Sequence, residues 1–477
     1  MPDAVIPRRL TRGALLLILP AMLVLAGCHG GPDAAGMYAR ARSEAARGDR
    51  AARTSFALAS RDYGRALATL DRLVQRYPDS PQARRIRSGH GSLGSRSLAT
   101  FRKRVVPHMR RLAQLESRAD LFDLAHACIH AFATSGGHEA LTEDLVDGLV
   151  EAGDYARGAR LARTLPAPAH GQGSVARILA LASDGHVREA RAMVQGMQPG
   201  VNRTIGRLNL LSGLIHAGDR QAADREVPAI VDGIQQVHSR YQAVLMIMLA
   251  DDLGRLGRVE DARRIAEGIP DQVPGLKSSA LSAVAGAAHK AGRDALARQL
   301  AGHAYALGRK AHKASARVEY IVQAATAMAA AGDRQAAQRM FARAHGIARR
   351  LPGGAPYRLS AGLAIADGEA RAGFRQAASE DLARTVAGFH AAGISPDQRQ
   401  TGMPVAEVYA RTGRYGQAVA DLASMHSPMR FADDMIRLAV VYHQAGLQPT
   451  PRQKHVLVAH FAQLREVAAG QRGGGSS

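Results

Sequence analysis

An all-α chain of stacked helix pairs is what this sequence predicts, on three observations. A seven-residue segment occurs twice, as Ala217-Gly218-Asp219-Arg220-Gln221-Ala222-Ala223 and as Ala331-Gly332-Asp333-Arg334-Gln335-Ala336-Ala337. Looser copies pair a Gly with an Ala five residues later: Gly185 with Ala190, Gly257 with Ala262, Gly292 with Ala297, Gly373 with Ala378, and Gly413 with Ala418. Gly153 with Gly158 is a further copy. From Gly153 to Gly413 the successive spacings are 32, 33, 39, 35, 40, 41 and 40 residues, the period of an array of helix pairs. The third observation is composition. Hydrophobic residues make up 46% of the chain but aromatics only 4%, with no Trp, so the core must be Ala, Leu, Val and Met. Ala and Leu are strong helix formers, and strand-type alternation is hard to find.

The chain begins with Arg8, Arg9 and Arg12, followed by the apolar run from Ala14 to Leu25 and then Ala26-Gly27-Cys28. A basic start, a short apolar run and small residues before a cleavage point make a signal peptide over 1–27. The run is too short for a membrane span, and Pro20 interrupts it. Leu25-Ala26-Gly27-Cys28 resembles the bacterial lipobox. That resemblance implies cleavage after Gly27 and acylation of Cys28, with three acyl chains each contributing ~0.8 kcal/mol per buried methylene. It also implies an anchored protein, and His29 in place of Asp favours the outer membrane, with the body facing the periplasm. If Cys28 is lipidated, Cys128 is the only thiol left, so packing alone holds the fold.

Residues 28–36 read as a tether, and helical periodicity starts near Met37. Over 37–88, Leu67, Leu70, Val74 and Tyr77 share one helix face that Pro78 ends. The run 89–98, rich in Gly and Ser, reads as a flexible linker. Two helices follow, over Thr100–Ser117 and Ala119–Thr134, the first carrying Arg102, Lys103, Arg104, Arg110 and Arg111. The repeat array occupies 99–450. In each unit a first helix ends at the Gly, which supplies a left-handed turn, and a second helix presses against it at the small residue. The turns fall at Gly153, Gly185, Gly218, Gly257, Gly292, Gly332, Gly373 and Gly413. Pro449 and Pro451 break the chain before a capping helix over 451–470, and 471–477 reads as a disordered tail.

The Gly–Ala pairs, Tyr155, Tyr415, and the segment from Tyr63 through Ala66 to Tyr77-Pro78 resemble the tetratricopeptide (TPR) repeat, and the opening of the chain is similar to that of periplasmic TPR lipoproteins of outer-membrane assembly machines. Unit lengths vary, the large first-helix aromatic is missing, and Arg61 stands where a Gly would be, so the repeats are degenerate. The resemblance implies a right-handed superhelical solenoid that binds peptides or protein faces on the surface lined by its first helices.

The formal net charge is +22, of which +20 lies beyond residue 27. A surplus of this size favours anionic partners. Nucleic acid is set aside because the N-terminus addresses the chain to the envelope. The expected partners are therefore envelope proteins and the membrane, with an anionic polymer such as peptidoglycan or lipopolysaccharide as the alternative. A basic residue stands 15 positions before the turn Gly in four units: Arg203, Lys277, Arg317 and Arg358. This spacing places them at equivalent helix starts, where cations oppose the helix dipole. They are either a ladder that reads an anionic partner or local ion pairs with acids such as Asp271.

His126 and His130 stand at i and i+4, but Cys128 between them points away by the roughly 3.6-residue turn, and no metal or cofactor is expected. Glu116-Ser117 matches a dipeptide of lytic transglycosylases, yet the flanking segments of that family are absent. No nucleophile elbow, phosphate loop or carboxylate pair is found. The expected function is a non-catalytic protein-interaction scaffold, with an unrecognised enzyme the most remote alternative.

Overall fold

A computed structural model of the chain describes residues 33–132, 135–165, 175–237, 241–352, 354–399 and 403–473. Gly27 and Cys28, with the rest of the signal peptide and most of the tether, lie outside the described residues. The chain divides into two compact units.

The first unit holds described residues 33–53 and 58–109. Helix α1 (Ala34–Ala51) is capped by Asp33, which accepts from the Gly36 amide. Helix α2 (Phe56–Arg76) follows, then the short α3 (Pro81–Arg87). Tyr63 is buried against α1, where Gly48 leaves room for its ring, and its hydroxyl donates to Asp49 at 2.7 Å. Thr69 donates to the buried Glu44 at 2.8 Å. The expected flexible linker at 89–98 is instead a small hairpin of β1 (Ser92–Leu93) and β2 (Arg96–Ser97). Leu93 and Leu98 are buried, and the Tyr38 hydroxyl donates to the Ser92 carbonyl, so apolar anchors outweigh the Gly and Ser content. The helix that follows is α4 (Leu98–Thr100), a π-turn over Phe101–Val105, and α5 (Val106–Arg118). The unit boundary falls within it, after Met109, and not at the hairpin.

The second unit holds residues 54–57 and everything from 110 onward. After α6 (Leu121–Phe132) come nine helix pairs: α7 (Ser135–Glu151) with α8 (Tyr155–Ala162), α9 (Val175–Ser183) with α10 (Val187–Gly196), and α11 (Val201–His216) with α12 (Arg220–Gln235). Next are α13 (Tyr241–Arg255) with α14 (Val259–Glu267), α15 (Pro274–Lys290) with α16 (Asp294–Gly308), and α17 (Ala314–Ala330) with α18 (Arg334–Ala348). The series ends with α19 (Ala355–Arg371) and α20 (Arg375–Ala391), α21 (Val405–Arg411) and α22 (Tyr415–Leu422), and α23 (Pro428–Gln444) and α24 (Pro451–Gly473). The fold is an all-α helix-pair solenoid.

All eight turn glycines have φ between 73° and 90°. In each, the residue after the Gly donates its amide to the carbonyl five residues back, as Asp219 does to Leu214, closing the last turn of the first helix. The alanine five residues on has no exposed surface in any unit that carries it, from Ala190 to Ala418. At Gly158 an added Cβ would sit 3.4 Å from Val150. At six of the eight turns the residue after the Gly is Asp or Arg, with His186 and Phe374 at the other two. Where it is Asp, as at Asp154, Asp219 and Asp333, the side chain caps the second helix. Where it is Arg, the side chain reaches back to the preceding unit. Arg258 pairs with Asp224 at 3.1 Å, Arg293 pairs with Glu260, and Arg414 donates to the Ser379 hydroxyl at 3.1 Å.

First helices pack on one another in sequence, from α7 through α9 to α21 and α23. The series then closes. Helix α23 packs on both α6 and α7, and α24 reaches α6, so the contacts between first helices form a complete circuit. The Cys128 thiol meets the Pro428 carbonyl at 3.5 Å, Gln444 meets Glu151 at 3.4 Å, and Phe132 packs edge-on against Phe461. Helix α24 therefore does not cap an open end as the sequence reading expected. It helps to join the last turn of the array to the first, and its order extends to residue 473, into the expected tail. No helix among the described residues is long and apolar enough to cross a membrane.

Candidate functional site

Because each first helix runs toward its Gly and the second runs back, all first-helix starts lie along one edge of the array. The helix sequences explain what that edge exposes. Val175 opens α9, Tyr241 opens α13 with Val244 one turn on, and Tyr357 lies in the first turn of α19. These four account for most of the large apolar side chains exposed among the described residues, Tyr357 being 60% exposed and Tyr241 48%. A stable core would have buried them, and an aromatic and arginine-bearing edge has the composition of a protein-binding surface.

Arg203, Lys277, Arg317 and Arg358 stand in the first turn or just beyond it on α11, α15, α17 and α19, on this same edge. Their surroundings differ. Arg203 donates from Nε to the Met197 carbonyl at 2.8 Å, satisfying the end of α10. Lys277 pairs with Asp271 at 2.7 Å, the acid the sequence pointed to. These two rungs use local partners. Arg317 is half-buried and its Nε has no hydrogen bond, while Arg358 is exposed next to Tyr357.

The edge also carries a cavity of about 340 Å³ where the array closes. Leu141 of α7, Val405 at the start of α21 and Met429 at the start of α23 supply apolar walls. Arg399 and Asp421 form a buried pair at 2.7 Å, with their side chains 4% and 8% exposed. Phe389 stacks under the Arg399 guanidinium, and Arg430 donates to the Arg399 carbonyl at 2.9 Å. The Asp421 Oδ2 and the Arg399 Nε are buried and have no hydrogen-bond partner. Burial raises the Asp421 carboxyl against the pull of Arg399. Asp434 is pushed up to about 7, first by burial and then by Asp433 and Asp421, with Arg430 and Arg437 opposing. The cavity has room for one or two side chains and offers both charges.

Other residues singled out in the sequence have structural settings. Cys128 faces the core against α23, and burial pushes its thiol up to about 12, far from a reactive thiolate. His130 meets His138 edge to face, while burial and then His130 lower the His126 imidazole. Glu116 is buried. It accepts from the Ala57 amide at 2.9 Å and from Ser55, and it lies 2.9 Å from His455 of α24, tying three segments of the second unit together. Sequence reasoning missed the stitching arginines Arg258, Arg293 and Arg414. Their shared place directly after the turn Gly was the available clue.

No protein-family model matches the chain. No curated protein matches it. Among solved structures, the crystal structure of Rap protein complexed with competence and sporulation factor is similar at 10% identity and a TM-score of 0.28, covering 70% of this chain and 99% of that chain. The all-α assignment stands on the helices described above.

Proposed function

We propose that the chain is a lipid-anchored scaffold of the bacterial envelope that holds a protein partner along the first-helix edge and performs no catalysis of its own. The observation that carries this reading is the edge itself. Tyr241, Val244 and Tyr357 stand exposed on the array, and the same edge carries a cavity lined by both apolar and charged side chains. A partner would lay an apolar face over the tyrosines and insert a side chain at the closure, where Arg399 and Asp421 meet it. The Leu25-Ala26-Gly27-Cys28 segment supports a lipid anchor, and His29 after it supports the outer membrane, with the body in the periplasm. Anchoring raises the local concentration of scaffold and partner, so modest contacts suffice.

A second reading, direct binding of an anionic envelope polymer, is favoured by the exposed run Arg102, Lys103 and Arg104 of the first unit. Crosslinking in intact cells, followed by purification and mass spectrometry, tests the scaffold. The expected result is one protein at stoichiometric yield that is lost from a Tyr241→Ser, Tyr357→Ser variant and retained in high salt. Recovery of glycan alone, released by salt, would contradict it. Cys28→Ser is expected to release the protein from the membrane fraction, and unchanged fractionation would remove the anchor.

A further inference from the structure

Helices α18, α19 and α20 bring together His345, Glu369 and Asp381, one donor atom from each lying within 4.8 Å of the others. The residues are 24 and 12 positions apart and match no metal motif, so nothing in the sequence draws attention to them. Both carboxylates are more than nine-tenths buried, while the imidazole is about one-third exposed. The largely exposed Arg384 answers Asp381, whereas Glu369 faces only the imidazole, at 3.5 Å, and a buried carboxylate so weakly answered is costly in a low-dielectric site.

Hydrogen bonding leaves one oxygen of each carboxylate unsatisfied. Glu369 Oε2 is buried and makes no hydrogen bond. Asp381 divides its oxygens: Oδ1 is paired with Arg384, while Oδ2 lies 2.6 Å from His345 Nε2 without being aligned for a hydrogen bond. Glu369 Oε1 lies 3.5 Å from the same nitrogen. Three donor groups thus converge, and one oxygen of each carboxylate makes no hydrogen bond.

We propose that His345, Glu369 and Asp381 bind a divalent transition-metal ion of the zinc class, which ties the α17–α18 pair to the α19–α20 pair. Two carboxylates balance its charge, and an imidazole ligand selects this class over magnesium or calcium. Bonds of about 2.0–2.2 Å place tetrahedral donors about 3.3 Å apart. The Nε2–Oε1 distance already matches, and Asp381 needs to move away from Nε2 by about 0.7 Å to reach that spacing. Arg384 holds the other oxygen of Asp381 and so orients the ligand. The exposed edge of His345 provides the entry path and leaves the fourth position to water.

The test uses the full chain with Cys28→Ser and no histidine tag, stripped with chelator and titrated with zinc ions alone. The expected result is one zinc per chain by calorimetry and elemental analysis, with a rise in melting temperature. His345→Gln, at a partly exposed helix position, is expected to keep its far-UV circular dichroism and weaken binding at least tenfold. Cobalt ions provide a second readout, a visible absorption band lost in Glu369→Gln. Absence of stoichiometric uptake by the parent chain overturns the proposal. So does uptake unchanged in His345→Gln, or uptake lost in His130→Gln, which would assign the ion to α6.

Discussion

The middle of the array and its closure are built from the same helix pairs but are held together differently. From Ala159 to Ile365 a single apolar cluster runs through successive units, and between residues 175 and 366 Asp252 is the one buried ionisable side chain among the described residues. Its carboxylate accepts from Ser212, and burial pushes it up to about 7. From α19 onward the interior changes. Asp367, Glu369, Asp381, Arg399, Glu407, Asp421 and Asp434 are all buried, and Glu116 with His455 adds another pair where α24 meets α5. An interior of alanine and leucine propagates because any unit fits the next. Joining the last unit to the first requires one relative placement, and polar contacts between distant segments, Glu116 with His455 and Glu151 with Gln444, form only in that placement.

The largest effect is expected in the apolar middle. A Cβ at Gly213 would lie 2.4 Å from Ala182 and 2.8 Å from the Leu179 carbonyl, with backbone close by. Gly213→Leu therefore forces α11 away from α9 and is expected to destabilise by about 3 kcal/mol or more, read as the urea midpoint. A loss below about 1 kcal/mol would mean that the helix contact is loose.

At the closure the expected effect depends on pH. Asp434 titrates near 7 in the folded chain, against about 3.9 unfolded. The folded state therefore binds the extra proton between these values, and stability contributed by this group falls as pH rises from about 4 to about 7. Asp434→Asn is expected to leave stability unchanged at pH 4 and to raise it at pH 8 by a few kcal/mol, about 4 at most. Urea melts at the two pH values check this, and an equal effect at both would contradict it.

The smallest effect belongs to the outer stitches. Arg258 and Asp224 are partly exposed, so Arg258→Ala is expected to cost under about 1 kcal/mol and to depend on salt. A larger, salt-independent loss would place structural weight on the outer layer.

The middle was legible in the sequence and the closure was not. A Gly at positive φ and a fully buried Ala are local requirements, so the Gly recurs at all eight turns and the Ala at seven of them. The closure joins residues about 300 positions apart, as Cys128 meets Pro428 and Glu151 meets Gln444, and no period marks such a pairing. The hairpin at 92–97 was hidden because its Gly and Ser content reads as a linker, while its anchors Leu93 and Leu98 are single residues. Of the candidate site, the basic rungs could be placed by counting back from the Gly. Tyr241, Tyr357 and the Arg399–Asp421 cavity could not, because exposure and three-dimensional convergence leave no spacing in the chain.

The closed circuit of first helices is the central claim, and a distance measurement addresses it directly. Spin labels at Glu151→Cys and Gln444→Cys, in a Cys28→Ser, Cys128→Ser chain, report the separation of α7 from α23 by pulsed electron paramagnetic resonance. Neighbouring helices lie about 8–10 Å apart, so closure predicts a narrow distribution below about 25 Å. In an open array the eight steps between these helices would separate the labels by about 70 Å, and a population near that value would contradict the account.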